Sequence, residues 1–383
     1  MQRQKIDLSL ILLCAGESSR MGLSVKKQWL RVGGEPLFVC VLKRLMKFYA
    51  FSQIVVVGHK NEIRYIQNFV SENVQLVAGG NTRQQSIQNA ISNITSEFVC
   101  IHDVARANIT KKVFSRLLKG LSVGENIACV VPFLSVPDTV FYRGEYLKRD
   151  DIKLIQTPQI SQTTLLQHAI NSSAEFTDES SLLHSLGAEV IYVRGSKKLN
   201  KITYAKDLSM VKKMNKNQSS ITPPTRYGFG LDIHAFEENK PMILGGVRLP
   251  CEYGCKAHSD GDVLIHSLID AMLGAAGAGD IGEFFPDNDE QYKNADSTVF
   301  LQKIHTFINN IGFELVNIDV TVLAEKPKIN PHKNEIKQSL AKLLQIQKHQ
   351  INIKATTNEK MGYVGREEGI GVYCVVGVRE IEA

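Results

Sequence analysis

Hydrophobic positions in the first half of the chain come in short unbroken blocks. Leu8–Ala15, Ile54–Gly58, Val74–Ala78, Phe98–Ile101, Ile127–Pro132 and Val190–Val193 are almost wholly apolar, the pattern of strands buried on both faces. Between these blocks apolar residues fall at helical spacing, as at Ile87, Ala90, Ile91 and Ile94. Strand and helix in alternation predict an α/β domain built on a doubly wound, mostly parallel sheet. Such sheets bind ligands beyond the carboxyl ends of their strands, so the polar residues that close each block are the first candidates for chemistry.

The pattern then changes. Helices are expected over Val263–Ala276 and Thr298–Asn310, a strand alternates polar and apolar residues around Val316–Leu323, and a closing strand covers Gly369–Val378. This mixture reads as α+β. The segment Lys212–Thr225 is polar, aperiodic and contains Pro223 and Pro224, as a linker would be. The expected organisation is a domain over residues 1–211, a linker over 212–225 and a second domain over 226–383.

Composition narrows the class. With 383 residues, 43% of them hydrophobic and 22% charged, the chain is long enough for two cores and is not a disordered or low-complexity protein. No run approaches the roughly 20 apolar residues of a membrane span. The N-terminal Arg3 and Lys5 ahead of Leu8–Ala15 loosely imitate an export signal. The apolar run is short, adjoins Asp7 and leads into a polar loop, so a buried strand is the better reading. The seven cysteines are scattered, and Cys251 and Cys255 lack the second pair of a zinc knuckle, so a reducing, cytoplasmic setting is expected. Net charge is +6, but residues 1–222 hold 29 Lys and Arg against 17 Asp and Glu, whereas the remainder is acidic. The basic residues are spread out and not interleaved with aromatics, which favours a small anionic substrate over nucleic acid.

Three strand ends in the first half carry candidate chemistry. Cys14–Gln28 is a small-residue turn followed by Arg20, Lys26 and Lys27; backbone amides and cations in such a loop suit a phosphate. It matches neither the dinucleotide fingerprint nor the Walker loop. Gly79–Ser86 and His102–Arg106 follow two further blocks, and Asp103 at its strand end is a functional candidate. His102 reads as a packed histidine, and Glu179 as an acidic residue opening a helix.

In the second half, Asp232 and His234 are separated by one residue and so share one face of an extended segment. His266 lies in the first turns of the expected helix, and one carboxylate with two imidazoles suits Zn²⁺ with an open position. Asp270, four residues on, shares the helical face of His266 and is expected to orient a ligand or assist proton transfer.

These residues carry two resemblances. Over residues 6–211 the chain resembles the 2-C-methyl-D-erythritol 4-phosphate cytidylyltransferases. The match runs through the loop from Ala15 to Gln28, Gly79–Ser86, His102–Arg106, Asp138-Thr139, Thr157-Pro158-Gln159, Thr177-Asp178-Glu179 and Asn200–Thr203. It implies a Rossmann-like nucleotidyltransferase with Ala15, Gly16 and Ser86 against cytosine, Asp103 near the ribose and Arg83 among the substrate-binding residues. Arg20 and Lys27 would contact the triphosphate with Mg²⁺, Lys201 would stand beside the reacting phosphate, and Arg106, Thr139, Arg149 and Thr177 would hold methylerythritol phosphate. Thr139 and Arg149 are expected to come from a neighbouring subunit. Lys26 and Ala107 stand where that family usually has proline.

Residues 227–383 resemble the 2-C-methyl-D-erythritol 2,4-cyclodiphosphate synthases, through Tyr227–Phe236, Gly245–Pro250, Ala257–His266, Gly274–Asp287, Ile318–Ile329, Lys354–Gly362 and Gly365–Ile370. The resemblance implies zinc, or another divalent cation, on Asp232, His234 and His266. It places His258 and Ser259 on phosphate, Asp280 and Gly282 on ribose, and Asp287 on the methylerythritol hydroxyls. The cytosine would lie along Ala324–Ile329, Lys328 included. Thr356, Thr357 and Arg366 would face the diphosphate, with Glu359 on Mg²⁺; Arg366 reads equally well as an ion pair with Glu367 or Glu368. Asn358 replaces a threonine usual in that family.

Together these imply a fused enzyme of isoprenoid precursor synthesis. CTP and methylerythritol phosphate would give the cytidine diphosphate ester, and the 2-phosphorylated ester would cyclise with release of CMP. Trimeric cyclase contacts and dimeric transferase contacts would build a homo-oligomer, a hexamer at the limit, with neither nucleic acid nor membrane as partner. Two other readings stand beside it, a sugar-phosphate nucleotidyltransferase fused to a metal phosphohydrolase and a non-catalytic RNA-binding scaffold.

Overall fold

The computed structural model describes residues 6–124, 126–171, 176–214, 224–286 and 288–381. The chain divides into two compact units, Met1–Ser219 and Ser220–Glu382. Most of the segment read as a linker, residues 215–223, lies outside the described residues.

In the first unit the strands are β1 Leu8–Leu13, β2 Ile54–Gly58, β3 Val74–Ala78, β4 Phe98–Asp103, β5 Cys129–Ser135, β6 Lys153–Ile155, β7 Gln159–Gln162 and β8 Val190–Arg194. Their order is β6-β5-β7-β4-β1-β2-β3, with β8 also paired to β5. Each apolar block of the sequence is a strand. The sheet is nevertheless mixed, because β7 runs antiparallel between β4 and β5 and β6 antiparallel to β5. These two are short, and β7 (Gln-Ile-Ser-Gln) holds one aliphatic residue, so no apolar block marks it.

Register explains why the functional loops meet. Leu13 at the end of β1 lies beside Val57 of β2 and Asp103 of β4, and Gly58 lies beside Ala78 of β3. The chain therefore leaves four parallel strands at one level, and the loops that follow gather at one edge. Helix α1 Leu37–Phe48 and helix α2 Arg83–Ile91 cover the sheet. Helix α2 begins at Thr82, whose hydroxyl accepts the Gln85 amide, and ends at Ile91; Ile94, expected on it, lies beyond its end but is buried in the same core.

The second unit is built on β9 Thr225–Glu238, β10 Tyr253–Cys255, β11 Phe313–Leu323, β12 Ile351–Thr356 and β13 Gly369–Glu380, in the order β10-β9-β13-β11-β12. Helix α3 Val263–Ala276 packs on β9, and helix α4 Ser297–Asn310 packs on α3. Contact with β9 is possible because Gly228 and Gly230 face the helix. A Cβ on Gly228 would stand 2.0 Å from the Ala271 carbonyl oxygen, and one on Gly230 the same distance from that of Ser267. The alternation of β9 then sets Asp232 and His234 on the helix side and leaves Tyr227, Phe229, Leu231 and Ile233 exposed on the other.

Asp262 fixes where α3 starts. Fully buried, its carboxylate accepts the amides of Ile265 at 3.0 Å, Gly245 at 2.9 Å and Gly246 at 2.7 Å. It therefore satisfies the helix terminus and ties it to a neighbouring turn. Asp262→Ala would strand three amides, and we expect it to cost about 3 kcal/mol, read as a lower urea midpoint for the second unit.

Candidate active sites

The loops at the edge of the first sheet enclose a cleft of about 540 Å³. Ala15, Gly16, Arg20, Lys27, Arg83, Ser86, Asp103 and Lys201 all line it. The approach of the glycine turn is close: a Cβ on Gly79 would lie 2.5 Å from that of Ala15. Ser86 Oγ accepts the Gly80 amide at 3.1 Å, and Ser18 Oγ accepts the Lys27 amide at 2.9 Å, so both loops are held from within.

Asp103 organises the floor. Its Oδ1 accepts from Arg83 Nε at 3.1 Å and its Oδ2 from Lys201 Nζ at 2.8 Å. Burial alone would raise this carboxyl, but the two cations hold it far below the usual value. Arg83 turns its other edge to Glu179 at 2.6 Å. The Glu179 side chain is wholly buried, so beyond opening a helix it serves as a fixed counter-charge for Arg83, a role a local reading of the sequence missed. Asp178 is the residue that caps that helix, Glu179–Ser185, accepting the Ser181 amide at 2.9 Å. His102 is buried beside Thr157 Oγ1 at 3.2 Å, and burial pushes its pKa down to about 4. Lys27 shifts in the same direction: burial and then the charges of Arg20 and Lys201 pull its ammonium below the ordinary lysine value.

The other expected residues of this half do not line the cleft. Arg106 donates to the carbonyls of Leu199 at 2.9 Å and Ile155 at 3.2 Å. Thr177 is exposed, and Thr139 and Arg149 are exposed beside the hairpin formed by Val140–Tyr142 and Glu145–Leu147.

A second cleft, of about 270 Å³, lies between β9 and α3 and is lined by Asp232, His234, His258, Ser259, His266, Asp270 and Gly282, among others. Asp232 Oδ2 stands 3.1 Å from His234 Nε2 and 3.3 Å from His266 Nδ1. One donor atom from each of the three residues fits within 4.8 Å of the others. Asp232 Oδ2 and His234 Nδ1 are buried without a hydrogen-bond partner in the structure. Burial would raise the Asp232 carboxyl, but the two imidazoles hold it far below its usual value, and His266 is raised in turn.

Behind His266 lies a chain that sequence reasoning missed. Its Nε2 is 3.0 Å from Ser297 Oγ and 3.2 Å from Ser259 Oγ, and the Ser297 hydroxyl donates to Asp260 Oδ1. A hydroxyl has one proton, and Ser297 gives it to a carboxylate that can only accept. Toward His266 it must therefore accept, which puts a proton on Nε2 and makes Nδ1, the atom facing Asp232, the one that offers a lone pair once the ring is neutral. Convergent lone pairs of one carboxylate and two imidazoles fit a divalent metal ion. Asp270 receives the Ile281 amide at 2.8 Å, and burial, more than the nearby charges of Asp280 and Asp232, raises its carboxyl. Asp280 caps the turn Ile281–Phe284.

Ala324, Lys328, Thr356, Thr357, Glu359 and Arg366 do not line this metal cleft. Thr357 donates to Glu359 at 2.9 Å, and Glu325 accepts the Asn358 amide at 3.1 Å, so the segments expected around cytosine and diphosphate adjoin each other. Arg366 makes a two-pronged pair with Glu368 at 2.7 and 3.0 Å. Asp287 lies outside the described residues.

A family model described as 2-C-methyl-D-erythritol 4-phosphate cytidylyltransferase matches residues 8–215, and the YgbB family model matches residues 225–379. The chain is 49% identical over 376 residues to the bifunctional enzyme IspD/IspF of Aliarcobacter butzleri (strain RM4018), covering 98% of each. It is 44% identical over 373 residues to that of Campylobacter jejuni (strain RM1221), covering 97% of this chain and 98% of that protein. The solved structure of the bifunctional IspDF from Campylobacter jejuni matches with a TM-score of 0.82 at 42% identity, over 98% of this chain and 99% of that one. These likenesses set aside the sugar-phosphate and RNA-binding readings. The chain belongs to the bifunctional IspD/IspF family and is an enzyme of the methylerythritol phosphate route to isoprenoids, a cytidylyltransferase joined to a cyclodiphosphate synthase.

Proposed function

We propose that the first cleft takes CTP with cytosine against Ala15, Gly16 and Ser86, ribose near Asp103, and the Mg²⁺-bound triphosphate along Arg20 and Lys27. One observation carries this reading: Arg20, Lys27 and Lys201 line one cleft closely enough for the first and third to depress the second. That arrangement is costly until an anion enters it. The phosphate of methylerythritol phosphate is already a nucleophile, so no general base is required. Its oxygen bonds to the α-phosphorus of CTP as the bond to pyrophosphate breaks, while Lys201 and Lys27 neutralise the developing charge. Arg83, fixed by Asp103 and Glu179, orders the floor on which the nucleotide sits.

The second cleft, on this reading, holds zinc on Asp232, His234 and His266. An ion held there would supply Lewis acidity, with Glu359 the residue that would hold Mg²⁺, for a displacement in which the 2-phosphate oxygen bonds to the β-phosphorus as the bond to CMP breaks. His258 and Ser259 bind phosphate, Asp280 and Gly282 the ribose and Asp287 the hydroxyls, while Asp270 orients the turn that carries Gly282. Ala324 and Lys328 would flank cytosine, with Thr356, Thr357 and Arg366 on the diphosphate. These last groups would reach the metal cleft of a neighbouring copy. The exposed apolar face of Phe229, Leu231, Ile233, Tyr373 and Val375 supports a trimeric contact there. The exposed Phe141, Tyr142 and Tyr146 support a dimeric one through which Thr139 and Arg149 of a neighbouring copy would join Arg106 and Thr177 on methylerythritol phosphate. Trimers joined through such dimers would form a hexamer, and the free cysteines fit a cytoplasmic setting.

Mass spectrometry of purified protein given CTP, Mg²⁺ and methylerythritol phosphate should reveal the cytidine diphosphate ester. Lys27→Ala should lower kcat on the order of 10²–10³-fold with an unchanged Tm, and equal turnover by the variant would defeat the reading. The working form of Lys27 is the cation, and its pKa lies below that of free lysine. Activity should therefore fall with rising pH at a lower pH than an ordinary lysine would set, and Lys27→Arg should move that limb upward in a pH–rate profile. For the second site, Ser297→Ala should weaken Zn²⁺ or Co²⁺ affinity about 10–100-fold in a chelator competition, whereas Ser297→Thr, which keeps the hydroxyl, should restore most of it.

A further inference from the structure

A buried lysine must have partners. The Lys26 side chain is 4% exposed, and its ammonium reaches Glu62 at 2.9 Å and Glu17 at 2.8 Å. The two carboxylates differ in kind. Glu62 is 1% exposed and anchored, accepting from Trp29 Nε1 at 2.7 Å and Gln28 Nε2 at 3.2 Å. Glu17 is 63% exposed and belongs to the turn that carries Gly16 and Arg20 at the cleft. Its second oxygen meets His59 Nε2 at 2.9 Å. The His59 Nδ1 accepts the Asn61 amide at 3.3 Å, so Nε2 carries the proton and donates it to Glu17.

Lys26 itself does not line the cleft, whereas Glu17 and His59 do. The ammonium meets the lining of the cleft through Glu17. We propose that Lys26 is a positioning residue for cytidylyl transfer: seated on Glu62, it grips Glu17 and holds the turn from Gly16 to Arg20 against the nucleotide. The inference rests on the reading that this cleft binds CTP. The same grip offsets a carboxylate that would otherwise repel the triphosphate, so removing Glu17 distinguishes two effects of opposite sign. If the grip matters, CTP binds more weakly without Glu17; if Glu17 is only a misplaced anion, CTP binds more tightly.

The test uses the full chain with steady-state kinetics. Glu17→Ala leaves the buried pair intact, and we expect KM for CTP to rise roughly three- to fivefold with kcat within about twofold and Tm unchanged. The double variant Lys26→Met with Glu62→Gln removes the pair without leaving a lone buried charge and should raise KM at least as much. Adding Glu17→Ala to it should raise KM no further, because all three residues act through one contact. A KM for CTP that is unchanged or lower in Glu17→Ala, or effects that multiply in the triple variant, would overturn the proposal. Arg20→Ala and Lys201→Ala test the cleft separately: if they abolish turnover while Glu17→Ala leaves KM untouched, the grip alone fails, and if they are silent the cleft reading fails with it.

Discussion

Charge gathered ahead of its ligand is the constraint to which both units are built. Arg20 and Lys201 both bear on the half-buried ammonium of Lys27 in one cleft, and in the other three donor atoms turn toward a common centre. Neither arrangement would persist on a mobile surface, because like charges and bare lone pairs relax toward water. Each is held by buried or half-buried polar groups that pair with one another or with backbone amides: the Arg83–Asp103–Glu179 cluster under the first cleft, and Asp262 with the Ser297–Asp260 pair around the second.

The two scaffolds solve the positioning problem differently. In the first, four parallel strands end at the same level, so residues distant in sequence arrive together on loops. In the second, two of the three candidate donors ride one strand, and the third stands on the helix packed across it. Loops admit adjustment to a large substrate, whereas a strand and a helix fix interatomic distances closely, as coordination demands.

The sequence carried the local parts of this well. Unbroken apolar blocks mark every parallel strand of the first unit except for their exact ends, and the one-residue spacing of Asp232 and His234 places both on the helix side of β9. What escaped depends on partners far along the chain. The antiparallel β7 lacks an apolar block because it is short and half polar. Glu179 opens a helix, as its position suggests, but its buried pairing with Arg83 spans 96 residues, and no local spacing announces that. Ser297 lies 31 residues from His266 and looks like an ordinary helix-start serine. Lys26, expected from the sequence to stand in place of a proline, is intelligible only once Glu62 is seen beneath it.

The bare backbone of Gly228 and Gly230 sets how near α3 can come to β9, and hence the width of the gap across which Asp232 and His266 face each other. Any side chain there would act as a wedge. A substitution at either position would spread the three donor atoms without altering one of them, and a survey confined to the donors would miss the lesion.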